Sequence, residues 1–215
     1  MGDLDKYIAR ISSPEDELLK ELDRETHLRE VQPRMISGHI QGKLLEMLTR
    51  MIHPRNILEI GTFTGYSTLC FAAGLDPDGR IDTIEVDDEL EDIATSFFAR
   101  SPHSGKIRHH IGSALEVAPK LGKTYELIFI DGDKREYPDY YKMIMGDAGN
   151  VAMVKSGSVI IADNILWYGK VVQPVAANDL HTRRLLEFNE LVANDPRVEN
   201  VVLDLRDGLN LIRVK

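Results

Sequence analysis

Cysteine is almost absent from this chain of 215 residues, and the only one is Cys70. A single cysteine excludes an intrachain disulfide and argues against a cysteine-based zinc site. Cys70 stands in the apolar run STLCFAA, so we expect a buried thiol that packs in the core. No apolar run approaches the ~18 residues of a membrane span, and the N-terminus has no apolar signal core. We therefore expect a soluble cytoplasmic protein that does not associate with membranes.

Basic residues are also in deficit, because 26 Lys and Arg stand against 35 Asp and Glu, a formal net charge of −9. This balance gives no bulk attraction to nucleic acid, although a local basic patch could still form. The seven histidines do not converge, and His109 and His110 fall in a strand pattern, so we expect no histidine metal site. The sequence contains no internal repeat or linker, which favours one domain over 1–215.

The order of the apolar patterns predicts an α/β protein. Residues 1–52 are predicted to be helical, with one helix capped at Ser13-Pro14 and another starting near Gly38. From residue 56 to 215, short β-branched runs alternate with helical stretches, as in the βαβ units of a parallel sheet. Two final strands flank Arg206-Asp207-Gly208, which is a hairpin signal. The predicted helices of this second region are 66–73, 89–100, 114–121, 138–154 and 181–193.

A turn with two glycines follows the first predicted strand. Gly61 and Gly65 allow the backbone to turn sharply and to approach a ligand, and the next helix directs its first N–H groups there. Phe63 occupies the position of the second glycine of a pyrophosphate-binding loop, where its Cβ would crowd a pyrophosphate. The smaller amino-acid moiety of S-adenosylmethionine would fit. A purely structural strand-to-helix turn is the alternative interpretation.

An acidic residue, Glu85, ends the second predicted strand, 24 residues after Gly61. Such an acid can accept hydrogen bonds from both ribose hydroxyls of an adenosine ligand. Asp87, Asp88 and Glu89 follow, and we assign them to the capping of the next helix. The glycine turn and the acid together predict a nucleoside ligand.

Oxygen-bearing side chains end two further predicted strands. Asp131 follows the apolar run LIFI, and Asp163 and Asn164 follow VIIA. Ligands of open α/β sheets bind at the carboxyl ends of the strands, where these side chains are expected. Two carboxylates and an amide oxygen suit Mg²⁺, Ca²⁺ or Mn²⁺ better than zinc. The alternative is that the acids only cap the helices that follow.

Lys134 and a few aromatic residues complete the predicted site. Lys134 would stand beside the cation as a candidate base or electrostatic guide for a substrate hydroxyl, or else be an ordinary surface lysine. Tyr137, Trp167 and Tyr168 flank the same rim and are predicted to line an aromatic acceptor pocket. For Trp167, plain core packing is the alternative.

The blocks LEIGTFTGYS, FIDGDK and ADNILWYGKVV occur in this order. In these blocks the chain resembles the cation-dependent O-methyltransferases of the caffeoyl-CoA and catechol O-methyltransferase type, from about Met35 to the C-terminal hairpin. The resemblance implies a Rossmann-like class I methyltransferase fold: a mostly parallel seven-stranded sheet with a C-terminal antiparallel hairpin and helices on both faces. It also implies S-adenosylmethionine as methyl donor, a divalent cation, most simply Mg²⁺, and a homodimer.

The resemblance implies roles for individual residues. Asp131, Asp163 and Asn164 match the metal ligands, and Lys134, together with Asp131, matches the catalytic centre. The residues that match S-adenosylmethionine contacts are Met35, Ser37, Glu59, Gly61, Gly65, Ser67, Glu85, Ala114, Asp131 and Asp133. One departure is the segment Ser37-Gly38-His39-Ile40-Gln41-Gly42-Lys43, where relatives often carry a Pro-rich turn and Glu-Gly-Gln.

We therefore predict an S-adenosylmethionine-dependent and metal-dependent O-methyltransferase that acts on a hydroxyl of a small catechol-like or caffeoyl-type acceptor. One alternative is a tRNA hydroxyuridine O-methyltransferase, against which the acidic net charge argues. Another is a non-catalytic module that binds an adenosine ligand and uses its acids only as caps. A nicotinamide-dependent oxidoreductase is disfavoured by Phe63 in the glycine turn.

Overall fold

The computed structural model describes residues 2–147 and 149–215, and a twisted sheet runs through its centre. Its strands are β1 (Asn56–Ile60), β2 (Arg80–Glu85), β3 (Ile107–Ile111), β4 (Leu127–Ile130), β5 (Val159–Asp163), β6 (Val198–Leu203) and β7 (Leu209–Val214). The strand order is β3-β2-β1-β4-β5-β7-β6. β1 to β5 pair in parallel, whereas β7 is antiparallel to both β5 and β6. The predicted sheet and its C-terminal hairpin are confirmed.

Helices cover both faces of this sheet. They are α1 (Asp3–Ile11), α2 (Glu17–Arg29), α3 (His39–Ile52), α4 (Tyr66–Gly74), α5 (Glu91–Arg100), α6 (Ala114–Lys120), α7 (Tyr137–Ile144) and α8 (Leu180–Ala193). Alternate residues of β4 enter different cores: Phe129 packs with α2 to α5, and Ile130 packs with α6 to α8. Cys70 is buried, as predicted. In the described part of the chain, no helix combines the length and the apolar character that a membrane crossing requires.

Two predicted helix boundaries were wrong. α2 begins at Glu17 and not after Ser13, because the carboxylate of Asp16 accepts from the Leu18 N–H at 2.8 Å and supplies the cap. The helix predicted over 138–154 ends at Ile144. Gly146 adopts φ +78°, and a Cβ there would lie 2.7 Å from the backbone nitrogen of Ala152, so the chain reverses where only glycine fits.

The strand register brings the ends of four strands to one level. Ile60 of β1 pairs with Ile84 of β2 and with Ile130 of β4, and Ile130 pairs with Ala162 of β5. The next residue along each strand is therefore at the same edge of the sheet. Those four residues are Gly61, Glu85, Asp131 and Asp163. The carboxyl edge thus collects the predicted glycine turn and three of the predicted acids.

Candidate active site

A cavity of about 920 Å³ opens at this carboxyl edge, at the place where an open α/β sheet binds its ligands. Its walls come from the strand ends, from the 31–37 segment before α3 and from the loop after β5. The predicted site residues that line it are Met35, Ser37, Gly61, Ser67, Glu85, Ala114, Asp131, Asp133, Lys134, Asp163, Asn164, Trp167 and Tyr168. Most of the predicted site is therefore brought together around one cavity.

Three predicted site residues lie behind the walls of the cavity. Glu59 is fully buried beneath the glycine turn. Gly65 is the N-cap of α4 with φ +93°, where a Cβ would lie 2.4 Å from the ring of Phe98. Tyr137 is also fully buried, and its ring packs edge-on against Phe188 with centroids 5.3 Å apart. The prediction that Tyr137 lines the acceptor pocket was wrong, because the first turn of α7 directs this side chain into the core.

Glu85 organises the half of the cavity that contains the glycine turn. Its Oε2 accepts from the Phe63 N–H at 2.7 Å, and its Oε1 accepts from the N–H groups of Val86 and Asp87 at 2.8 and 3.0 Å. Phe63 has φ +49°, so the carboxylate secures a residue in the left-handed region. A carboxylate has about four acceptor positions, which leaves capacity for a ligand hydroxyl. Asp87 accepts from the Glu89 N–H at 3.1 Å, which confirms its predicted capping role.

A buried polar chain supports the glycine turn from below. Glu59 Oε2 accepts from Thr83 Oγ1 at 2.6 Å and from Thr68 Oγ1, and Thr83 is hydrogen-bonded to Thr62 at 2.6 Å. Glu59 Oε1 is buried without a hydrogen-bond partner among the described residues. Burial raises the pKa of Glu59 from its ordinary value near 4.5 to about 7, although the neighbouring hydroxyls oppose the shift.

We expect Glu59→Gln to flatten the dependence of stability on pH. A group whose pKa is raised by folding contributes stability below its unfolded pKa and loses it as pH rises through the folded pKa. Wild-type stability should therefore fall between about pH 4.5 and pH 7 by up to about 3 kcal/mol from this group, and the variant should lack that fall. Urea unfolding at several pH values measures the free energy of unfolding of both proteins. Glu89→Gln, at an exposed site, is the control, and parallel wild-type and Glu59→Gln curves would contradict the expectation.

Two carboxylates and one ammonium group form the other half of the cavity. Lys134, which is 7% exposed, donates from Nζ to Asp131 Oδ1 at 2.9 Å. Asp163 accepts through Oδ2 from Gln41 Nε2 at 2.5 Å and through Oδ1 from the Asn164 N–H at 2.7 Å. Burial raises the pKa of Asp131 to about 7; Lys134 opposes this shift, and the charge of Asp163 adds to it.

This donor set fits a divalent cation. The negative charge of Asp163 repels that of Asp131 inside a buried site, and a cation bound to both carboxylates would remove this repulsion. Within residues 2–147 and 149–215, no group of three His, Cys, Asp or Glu side chains could hold a metal. A cation would therefore need the amide oxygen of Asn164 and oxygens of water or substrate in addition to the two carboxylates.

The outer rim combines aromatic and basic side chains. The indole of Trp167 stacks on the ring of His181, with centroids 5.9 Å apart and an interplanar angle of 17°. Arg206 donates from Nη1 to the Ile36 carbonyl at 2.8 Å and thereby fastens the 33–37 segment beside the cavity. Sequence reasoning missed Gln41, His181 and Arg206 as parts of the site. The sequence marked Arg206 only as part of a predicted hairpin turn. It marked Gln41 only as part of a segment that departs from relatives.

A family model described as O-methyltransferase matches residues 9–215. The chain belongs to this O-methyltransferase family. It is thus an enzyme of the methyltransferase class, and the family indicated by the three sequence blocks is confirmed. The fold agrees with this result, because solved O-methyltransferase structures resemble the chain over nearly their whole length.

Individual relatives support the same assignment. Caffeoyl-CoA O-methyltransferase 5 of Nicotiana tabacum is 35% identical over 210 residues, covering 93% of this chain and 85% of the relative. Caffeoyl-CoA O-methyltransferase 1 of Arabidopsis thaliana is 34% identical, covering 98% and 84%. An O-methyltransferase from Bacillus cereus, solved in complex with SAH, has a TM-score of 0.90 and 31% identity, covering 99% and 97%. TomG from Streptomyces achromogenes, solved with SAM, has a TM-score of 0.90 and 29% identity, covering 100% and 96%.

Proposed function

We propose that this enzyme transfers the methyl group of S-adenosylmethionine to a hydroxyl of a small catechol-like or caffeoyl-type acceptor, with a divalent cation bound beside the acceptor. The observation that carries the proposal is one cavity with two chemically different halves. One half has the glycine turn and Glu85, and the other has Asp131, Lys134 and Asp163. Such a cavity can hold a methyl donor against an acceptor whose oxygens need a cation and a basic group.

S-adenosylmethionine suits the first half for two reasons. Glu85 retains acceptor capacity at the end of β2, where a ribose would present its hydroxyls. Phe63 in the turn disfavours a pyrophosphate, because its Cβ stands where a pyrophosphate-binding loop has glycine. The solved Bacillus and Streptomyces relatives contain SAH and SAM, which supports the same cofactor here.

The second half supports chemistry at an oxygen. A cation held by Asp131, Asp163 and Asn164 would lower the pKa of an acceptor hydroxyl and orient it. Lys134 Nζ lies 2.9 Å from Asp131 Oδ1 and lines the cavity. As an ammonium it would guide that hydroxyl electrostatically, and as a neutral amine it would accept the proton. The two halves line one cavity, which favours the reaction through proximity and orientation.

A small aromatic acceptor fits the rim better than tRNA does. Trp167 offers a flat apolar surface at the cavity, and the Nicotiana and Arabidopsis relatives are caffeoyl-CoA O-methyltransferases. Two of the basic side chains at the rim are already engaged: Arg135 pairs with Asp133, and Arg206 donates to the Ile36 carbonyl. The net charge of −9 also disfavours a polyanion.

The test is methyl transfer from radiolabelled S-adenosylmethionine to a catechol, a caffeoyl thioester and hypomodified tRNA, with Mg²⁺ and with a chelator. We expect product from the vicinal diols, no product from a matched monophenol, and loss of activity in chelator that Mg²⁺ restores. Full activity in chelator would contradict the cation. Methylation of tRNA alone would contradict the small acceptor, and cofactor binding without any product would favour the non-catalytic module.

A further inference from the structure

The hydroxyl of Tyr137 lies at the junction of three parts of the site, although the side chain is fully buried. Tyr137 Oη accepts from Lys134 Nζ at 2.7 Å. The same hydroxyl donates toward the carbonyl oxygens of Ile130 and Asp163, at 3.0 and 2.9 Å. These two carbonyls belong to the ends of β4 and β5, next to the carboxylates of Asp131 and Asp163.

The hydrogen-bond inventory of this cluster fixes the direction of each bond. A lysine ammonium can only donate and a carbonyl can only accept, so the tyrosine hydroxyl must accept from Lys134 and share its single hydrogen between the two carbonyls. Lys134 Nζ has two further acceptors, Asp131 Oδ1 at 2.9 Å and the Gly132 carbonyl at 3.3 Å. Tyr137 is therefore the one neutral side chain among these three partners, and it lies on the side of Lys134 away from solvent.

We propose that Tyr137 is a positioning residue that holds the Lys134 ammonium at the cavity wall and joins the two strand ends that carry Asp131 and Asp163. The inference rests on the proposed function, in which the positive charge of Lys134 guides the acceptor hydroxyl. Tyr137 itself does not line the cavity, so it acts through Lys134 and not on the substrate. Tyr137 follows Lys134 by three residues across the 3₁₀ turn Lys134–Glu136, which brings these two side chains to one side of the turn.

Tyr137→Phe tests the proposal, because it keeps the ring and its packing on Phe188 and removes only the hydroxyl. Tyr141→Phe is the matched control. Tyr141 is on the same helix, is also fully buried and packs on the same Phe188 ring, but its hydroxyl donates to Asp195 at 3.1 Å, away from Lys134. Lys134→Met, which removes the ammonium group, is the third variant.

The first readout needs no acceptor. The ¹H–¹⁵N signal of the Lys134 ammonium, assigned by its absence in Lys134→Met, should be protected from water exchange in the wild type and in Tyr141→Phe. It should broaden or vanish in Tyr137→Phe, since the buried acceptor is gone. A protected signal in Tyr137→Phe would overturn the proposal, whatever the enzyme methylates.

The second readout is a double-mutant cycle on methyl transfer to a catechol with Mg²⁺. We expect Tyr137→Phe to lower kcat roughly tenfold, part of the 10²–10⁴ typical of general acid–base groups, with KM and SAH affinity within about twofold. In the Lys134→Met background the same change should alter kcat by less than about twofold, because the group it positions is absent. Equal losses in both backgrounds, or an equal loss in Tyr141→Phe, would overturn the proposal.

The proposed role of Lys134 and the positioning role of Tyr137 would be contradicted by different results. Undiminished kcat in Lys134→Met would contradict the proposed role of Lys134, and the inference would fall with it. A large loss in Lys134→Met combined with wild-type kcat in Tyr137→Phe would overturn the inference alone.

Discussion

Asp163→Ala is expected to reduce metal-dependent methyl transfer by roughly a thousandfold, equivalent to about 4 kcal/mol of transition-state stabilisation from a bound cation. Asp163 is 3% exposed at the end of β5 and its charge acts on Asp131, so its removal leaves Asp131 as the only carboxylate of the proposed ligand set. SAH affinity should change little, because the contacts expected for the cofactor lie at Gly61 and Glu85. The measurements are kcat/KM with Mg²⁺ and calorimetric titration of Mg²⁺ and of SAH.

Two further variants make this result specific. Asp163→Asn removes the charge and keeps one oxygen that can accept from Gln41 Nε2, so it should lose Mg²⁺ affinity. The Asn164 N–H loses its side-chain acceptor, so the free energy of unfolding should fall by about 1–3 kcal/mol. Asp204→Ala removes an exposed acid that directly follows β6 and should behave as wild type. Mg²⁺ affinity that is unchanged in both Asp163 variants would contradict the metal assignment. Reduced SAH affinity together with normal Mg²⁺ binding would assign Asp163 to the cofactor instead.

The carboxyl edge of the sheet could be predicted because strand ends are local signals. LIFI and VIIA are apolar throughout, and the first polar residue after each run marks where the strand leaves the core. Parallel pairing then brings those ends together without any knowledge of the register. Asp131, Asp163 and Glu85 were therefore predicted correctly at one edge, and the observed pairing of Ile60 with both Ile84 and Ile130 only sharpened their alignment.

Contacts between distant segments could not be predicted in the same way. Gln41 donates to Asp163 across 122 positions of sequence, and this contact depends on how α3 packs against α4. The position of Tyr137 was mispredicted for the same reason. Its closeness in sequence to Asp131 and Lys134 suggested that it lines the rim of the cavity, whereas the rotation of α7 directs its ring into the core. The rotation of a helix about its axis depends on packing over its whole interface with the rest of the protein, so the local sequence around residue 137 does not predict it.

Gly61→Ala is expected to lower the free energy of unfolding by on the order of 3 kcal/mol or more. Gly61 has φ +98°, and a Cβ built there would lie 2.4 Å from the carbonyl oxygen of Asp131. The backbone of Asp131 cannot retreat easily, because its N–H donates to the Ile60 carbonyl at 2.8 Å in the pairing of β1 with β4. Two separate costs, conformational strain and a backbone clash, therefore add at one residue.

Two other glycines separate these costs. Gly122 has φ +60° with nothing within 4 Å of a built Cβ, so Gly122→Ala carries the strain alone, about 1–2 kcal/mol. Gly105 has the same open surroundings without a positive φ, and Gly105→Ala should be nearly neutral. Urea unfolding should rank the losses as Gly61, then Gly122, then Gly105, and equal losses at Gly61 and Gly122 would contradict the clash. Because the clash pushes apart the ends of β1 and β4, Gly61→Ala should also weaken SAH binding and lower kcat in the folded fraction, whereas Gly122→Ala should change neither.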